Sequence, residues 1–368
     1  MELLQTMTQQ NTVPNSNNRR SFLKGTLAAG AALAGASALT SKGLLAQDHR
    51  RLTRGDAAIL QFLAAAELIE ADLWQQYAEL GGVTTGSQNA YQNALQNLDS
   101  DGSQYISSNT LDEQSHAQFL NAYLSLRGQE SVNLDQFRSL PSSKATGAQQ
   151  IGRLTNLTQL SVDTSWYTRY RSSSNPDFGA TFPQAIPALL NGQFSAIPKT
   201  DADFASADHA QALANTAAFH FGFIEQGGLS LYATLAPQVS DAEVLRVVLS
   251  IGGDEIAHFL EWVDFAGNAV QTPLAPLKDP NTGLVFPDFN ATNNPLLQTN
   301  LIFPVPCEFI SPNLPHCAVI RPTSPNQINA VNFIKALVAD GLFIGQSQTF
   351  TALLFEMADA ADSAVAGK

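Results

Sequence analysis

The sequence predicts an all-α protein built on four long helices. A long crossover joins the second to the third, a Pro/Asn-rich irregular excursion follows the fourth, and a helical segment closes the chain. Three observations carry this reading. Apolar residues recur in alternating steps of three and four over four separate stretches, which places them on one face of a helix each time. The stretches are bounded by helix start and stop residues. Two copies of Glu-x-x-His, Glu113-Gln-Ser-His116 and Glu255-Ile-Ala-His258, each follow a lone glutamate set in an earlier apolar seam, Glu67 and Glu225.

The 368 residues are enough for a substantial core, and 44% hydrophobic against 14% charged content describes a globular chain rather than a disordered one. A net charge of −13 argues against nucleic acid or an anionic membrane surface as partner. Residues 1–46 are set aside as a leader. Asn18-Arg19-Arg20-Ser21-Phe22-Leu23-Lys24 has the form of a twin-arginine export signal, followed by an uncharged Ala/Gly-rich stretch from Gly25 to Ser41. That stretch is shorter and less apolar than the about 20 residues a membrane helix needs. The expected destination is periplasmic or extracellular, reached through the twin-arginine translocation machinery. Removing the leader leaves a charge of −16, from 15 basic and 31 acidic residues.

The first helix is expected over 54–80, capped by Thr53 with Asp56 three residues on and ended by Gly81-Gly82. Its seam reads Leu60, Leu63, Glu67, Glu70, Trp74, Tyr77. Two carboxylates in an apolar seam must be paired, protonated or metal-bound. A short helix is expected near Tyr91–Leu98. The second long helix is expected over 109–126, stopped by Gly128, with Glu113, His116, Leu120 and Tyr123 in its seam. The connection over 129–207 carries an expected helix near 149–170 and a Pro/Phe-rich stretch. A crossover of that length suits a bundle whose second and third helices run parallel. The third helix is expected over 207–235, ended by Pro237, with Phe221, Glu225, Gly228, Tyr232 and Leu235 facing inward. The fourth opens on Ser240-Asp241-Ala242-Glu243, read as a capping box, and aligns Val244, Val248, Ile251, Glu255, His258, Trp262 and Phe265. The domains are therefore a bundle over 54–267, the excursion over 268–325 and a helical extension over 326–368.

Residues three apart on a helix can serve one site. In Glu-x-x-His the imidazole offers one metal a nitrogen and the carboxylate can bridge two metals. Glu67, Glu113, His116, Glu225, Glu255 and His258 together supply four carboxylates and two imidazoles from four helices. Iron and manganese accept that mixture, whereas a closed zinc site favours cysteine or more histidine. The halves echo each other: Trp74 lies seven residues after Glu67, and Tyr232 seven after Glu225. Tyr123 and Tyr232 are candidates to hydrogen-bond the carboxylates, while His220 and His209 read as packed or capping residues.

The segments Ala66–Trp74, Asp112–His116, Phe223–Tyr232 and Gly253–Leu260 give the chain, over about residues 54–267, a pattern that resembles the ferritin-like superfamily. The closer likeness is to its ferritin-like-domain branch, which includes desiccation-related and fungal stress-response proteins. The resemblance implies a ferritin-like four-helix bundle with a dinuclear iron or manganese centre. It also favours Glu67 over Glu70 as ligand, because an aromatic residue follows each lone glutamate by seven; Glu70 is then an alternative ligand or a neighbour of the ligands. The implied chemistry is that of a di-metal oxidoreductase acting on O2, peroxide or Fe(II). The competing expectation is a stress-associated structural or binding protein with a stabilising metal or none. A homo-oligomer is left open. Cys307 and Cys317, ten positions apart in a Pro-rich loop, are expected to form a disulfide outside the cytoplasm.

Overall fold

Helix α1 (Arg54–Gly81) starts where its cap residues place it. The Thr53 hydroxyl accepts the Asp56 N–H at 3.0 Å, and Gly82 closes the last turn by donating to the Ala78 carbonyl. In this computed structural model the described residues are 51–83, 89–169, 182–292, 294, 297, 304–305, 311, 313–318 and 329–364. The leader expected over 1–46 lies outside them, as does Cys307.

Helix α2 (Asn89–Leu98) follows, then α3 (Gly102–Leu126), which begins at Gly102 rather than at the expected Asn109. The added turns are polar in sequence and carry no side-chain cap, but Ile106 is fully buried and Gly102 lies against the Phe265 ring. Tertiary packing here overrides weak local propensity. Beyond α3, Gly128 takes a positive φ of 71° and turns the chain away.

The helix expected over 149–170 is mostly absent. Only α4 (Ser165–Arg169) is helical, and residues 149–164 are irregular. The reason lies on α1. The buried carboxylate of Asp72 accepts the Leu154 and Thr155 N–H groups at 3.0 Å each and the Thr155 hydroxyl at 2.7 Å. Those backbone donors are satisfied by a side chain instead of by carbonyls one turn back. A short helix α5 (Pro187–Leu190) precedes α6 (Ala207–Leu235), which occupies its expected range under a Ser206 cap.

Helix α7 (Ala242–Asn268) is capped by Asp241, whose carboxylate accepts the Glu243 and Val244 N–H groups. This corrects the capping box expected from Ser240. The Ser240 N–H and hydroxyl donate instead to Asp56 at 2.8 and 2.6 Å, tying the start of α7 to the start of α1.

The excursion carries two small antiparallel ribbons. Strand β1 (Leu277–Lys278) pairs with β2 (Val285–Phe286), and β3 (Pro304–Val305) with β4 (Cys317–Ala318). Cys317 is exposed on β4, so the expected disulfide falls partly outside the described residues. The C-terminal segment forms two helices, α8 (Ala330–Asp340) and α9 (Gln348–Asp362). Gly341 ends the first in the left-handed conformation at φ 88°.

The long helices share one core, and their contacts give their directions. Along α1, Gln61, Trp74 and Val83 meet Glu130, Thr110 and Ser107, so α1 and α3 run antiparallel. Tyr77 and Tyr232 of α1 and α6 reach His220 and Glu67, again in opposing order. Helices α3 and α6 therefore run the same way, as the long crossover requires. Trp74, Tyr77, Phe221, Trp262 and Phe265 form the aromatic centre; the Trp74 and Trp262 rings stack at 5.2 Å. Helix α9 packs on α1, and α8 packs on α6. Among the described residues no helix is long and apolar enough to cross a membrane.

Candidate metal centre

Four helices bring six side chains to one buried point. Glu67 comes from α1, Glu113 and His116 from α3, Glu225 from α6, and Glu255 and His258 from α7. The carboxylates of Glu113, Glu225 and Glu255 are fully buried, and Glu67 nearly so. His116 and His258 are 8% and 7% exposed, so only an imidazole edge meets solvent.

The six side chains sort into two overlapping buried groups that could hold a metal ion. Glu67, Glu113, His116 and Glu255 form one; Glu113, Glu225, Glu255 and His258 form the other. His258 with Asp112 and Asp254 forms a third, less buried group. His116 Nδ1 lies 3.4 Å from Glu67, 3.3 Å from Glu113 and 3.7 Å from Glu255. His258 Nδ1 lies 3.1 Å from Glu113 and 3.3 Å from Glu225. Glu113 faces one imidazole with each of its oxygens.

Many of these atoms are close without being aligned for hydrogen bonds. Glu67 Oε2, Glu225 Oε2, both Glu255 oxygens and both His258 nitrogens are buried with no hydrogen-bond partner. Unsatisfied buried polar atoms cost about 1–3 kcal/mol each, more when charged. Five of them, all but His258 Nε2, face the same cluster and mark a site built for something besides the side chains themselves. The backbone makes room as well. Gly228 on α6 faces Glu255, and a Cβ there would sit well inside contact distance of the Glu255 carboxylate.

Charge crowding sets the protonation of this cluster. Burial first, then repulsion from Glu225, pushes Glu113 up to about 8, although the two adjacent histidines pull the other way. Glu255 and Glu70 are pushed well above the carboxylate range by burial and then by Glu113. Burial works to lower His116, but hydrogen bonds to Asp254, Glu113 and Glu67 outweigh it and push it up to about 12. His258 is likewise raised, with the Glu225 charge and the nearby Asp112 and Glu113 carboxylates overcoming burial. Without a metal the imidazoles thus serve as the counter-cations of the carboxylates.

Several residues at the site escaped the sequence reading. His116 Nε2 meets Asp254 of α7 at 3.2 Å, and His258 Nε2 meets Asp112 of α3 at 3.4 Å, so each hairpin's aspartate touches the other hairpin's imidazole. The repeated Asp-Glu-x-x-His was visible in both motifs as the signal. Asn109, placed at the helix start by sequence, sits inside the cluster and donates to Glu113 at 2.8 Å and to Glu225 at 3.1 Å. Glu261, one turn beyond His258, is pushed up to about 8, chiefly by burial.

The other candidates find separate partners. Tyr232 donates to Glu67 Oε1, whereas Tyr123 pairs with Arg127 away from the carboxylates. Glu70 is buried beside the cluster but belongs to none of the three groups. His220 bridges the Tyr77 hydroxyl at 2.8 Å and Asp340 at 3.1 Å, and His209 pairs with Asp279 at 2.8 Å.

Residues 16–36 match the family of twin-arginine translocation pathway signal sequences. Comparison with curated proteins and with solved structures finds no match. The chain thus carries a signal for the twin-arginine export route, which implies interaction with that machinery, and a helical body with buried acidic and imidazole groups that could bind metal.

Proposed function

We propose that the chain is an exported ferritin-like protein, periplasmic or extracellular, that binds a dinuclear iron or manganese centre. Its chemistry is of the oxidoreductase kind, with O2, peroxide or Fe(II) as the reactant. The observation that supports the reading is the set of five buried, partnerless atoms (Glu67 Oε2, Glu225 Oε2, both Glu255 oxygens and His258 Nδ1) shared between two overlapping groups.

Glu67, Glu113, His116 and Glu255 would hold one ion. Glu113, Glu225, Glu255 and His258 would hold the other, with Glu113 and Glu255 common to both. Carboxylate oxygens with one imidazole per ion suit iron or manganese. Bound, such a pair supplies two redox-active ions next to each other and a place for a small oxidant. The protein supplies the rest. Asp254 stands 3.2 Å from His116 Nε2 and Asp112 3.4 Å from His258 Nε2, so each carboxylate favours a proton on Nε2 and leaves Nδ1 to face the cluster. Tyr232 and Asn109 hold one oxygen each of Glu67 and Glu225, leaving the second oxygen turned inward. The packed indoles help to bury the carboxylates, and the imidazole edges, beside half-exposed Asp112 and Asp254, are the part of the cluster nearest solvent.

The test is elemental analysis of protein purified from its native export route. About two iron or manganese ions per chain is the expected result. No transition metal, with none taken up anaerobically from Fe(II) or Mn(II), would overturn the reading and leave the stress-associated structural protein. Glu255→Ala should lose at least one ion, because its carboxylate belongs to both groups. Unchanged stoichiometry in that variant would remove Glu255 from the site.

A further inference from the structure

The two halves hold their lone glutamates by different chemistry. From this we infer that the two ion positions are unequal, and that Asn109, oriented by Trp262, is the positioning residue of the His258-side position. The inference rests on the dinuclear reading above.

The halves would be equivalent if the residue seven places after each lone glutamate did the same work. Tyr232 crosses the bundle and donates its hydroxyl to Glu67 Oε1. Its counterpart Trp74 has no hydroxyl and lies in the aromatic core, stacked on Trp262. Glu225 is held from elsewhere. Trp262 Nε1–H donates to Asn109 Oδ1 at 2.8 Å. An indole nitrogen is only a donor, so this bond fixes which way the amide points. The Asn109 NH2 group is thereby turned inward, and its two hydrogens go to Glu113 Oε1 at 2.8 Å and Glu225 Oε1 at 3.1 Å.

Both of those oxygens belong to the His258 side: Glu113 Oε1 is the one that faces His258, and Glu225 is in the His258 group alone. Asn109 therefore sets the spacing of two carboxylates around one ion and makes no hydrogen bond to Glu67. The His116 side depends on a phenol instead. A phenol hydroxyl can rotate and can share its proton with a carboxylate, whereas an amide donor is fixed and uncharged at every pH. Glu255 has no side-chain hydrogen bond at either oxygen, which leaves it the carboxylate free to adjust between the two positions.

Metal-free full-length protein is titrated anaerobically with Mn(II), with circular dichroism and thermal melting of each variant as the folding control. Wild type should take two ions. Asn109→Leu, close in volume and without donors, should keep one ion at wild-type affinity and weaken the other by about 10- to 100-fold. Two backgrounds identify the weakened ion. With His116→Ala only the His258 side remains, and adding Asn109→Leu should remove its ion. With His258→Ala the remaining ion should bind within about twofold of its affinity before Asn109→Leu is added. Trp262→Phe keeps a ring but frees the amide to turn over, and should reproduce the selective loss at smaller size. If wild type takes two ions and Asn109→Leu weakens both equally, or neither, the inference falls while the dinuclear reading stands. If wild type takes none, both fall.

Discussion

Replacing Gly228 by alanine separates the fold from the site. An alanine Cβ would stand about 1 Å inside ordinary contact with Glu255 Oε2 and 3.1 Å from its Cδ. Helix α6 is packed on both sides at this level, so the carboxylate has to retreat rather than the backbone. Metal–oxygen bonds tolerate about 0.2 Å of misplacement, so a displacement of about 1 Å takes Glu255 out of bonding range. The helix itself gains, because alanine is favoured over glycine in a helix interior by about 1 kcal/mol. Gly228→Ala should therefore leave the metal-free protein as stable as wild type or more so, while lowering metal content by at least one ion per chain. Thermal melting of the metal-free form and the metal-to-protein ratio after loading measure the two effects. Full loading with wild-type affinity would refute the reasoning, since it would mean that the Glu255 oxygen facing α6 is not needed by the ions.

Glu70→Gln should keep both ions and change stability by less than about 1 kcal/mol. Burial and the neighbouring carboxylates push Glu70 well above the usual range, which favours its neutral form, and glutamine replaces that form nearly isosterically. Loss of both ions would make Glu70 the α1 ligand in place of Glu67. The stability of the metal-free protein should fall as pH rises. Glu113 moves from an ordinary value near 4.5 to about 8 in the fold, so the native state holds an extra proton between those values, and that stabilisation is lost on passing about 8. His116, raised from 6.5 to about 12, acts in the same sense at higher pH. The slope is up to about 1.4 kcal/mol per pH unit for each extra proton. The metal-loaded protein should not share this decline, because its ligands have already given up their protons. Thermal melting of both forms between pH 6 and 9 measures the difference; a level profile for the metal-free form would contradict the assigned protonation.

The sequence revealed those parts of the structure that leave a period. A carboxylate in an apolar seam three or four residues from its neighbours stands out, and Glu67, Glu113, His116, Glu225, Glu255 and His258 were legible for that reason. The starts and stops of α1 and α6 were legible through short-range signals, Thr53 and Gly81-Gly82 for the first and Pro237 for the second. What escaped depends on contacts between distant residues. Asp72 organises the crossover by accepting the N–H groups of Leu154 and Thr155, and no local pattern announces that. Ser240 looked like a cap until Asp56, on another helix, took its donors. Asn109 read as a boundary residue, yet packing of Gly102 and Ile106 extends α3 through it and turns it toward the carboxylates.

The closing helices bear on the order of assembly. Phe333 of α8 meets Phe62 of α1 edge-on at 6.3 Å, and Asp340 at the end of α8 bonds His220 of α6. Helix α9 packs along α1 as well. The helix that supplies Glu67 therefore keeps an uncovered apolar flank through most of the chain's synthesis on the ribosome. Its outer side is shut only when residues some three-quarters of the sequence downstream have emerged. The packing around α1 is complete only once residues 330–362 are in place. A twin-arginine leader, which hands a finished protein to its transporter, matches that timetable; threading the chain unfolded would postpone closure, and metal selection with it, to the far side of the membrane.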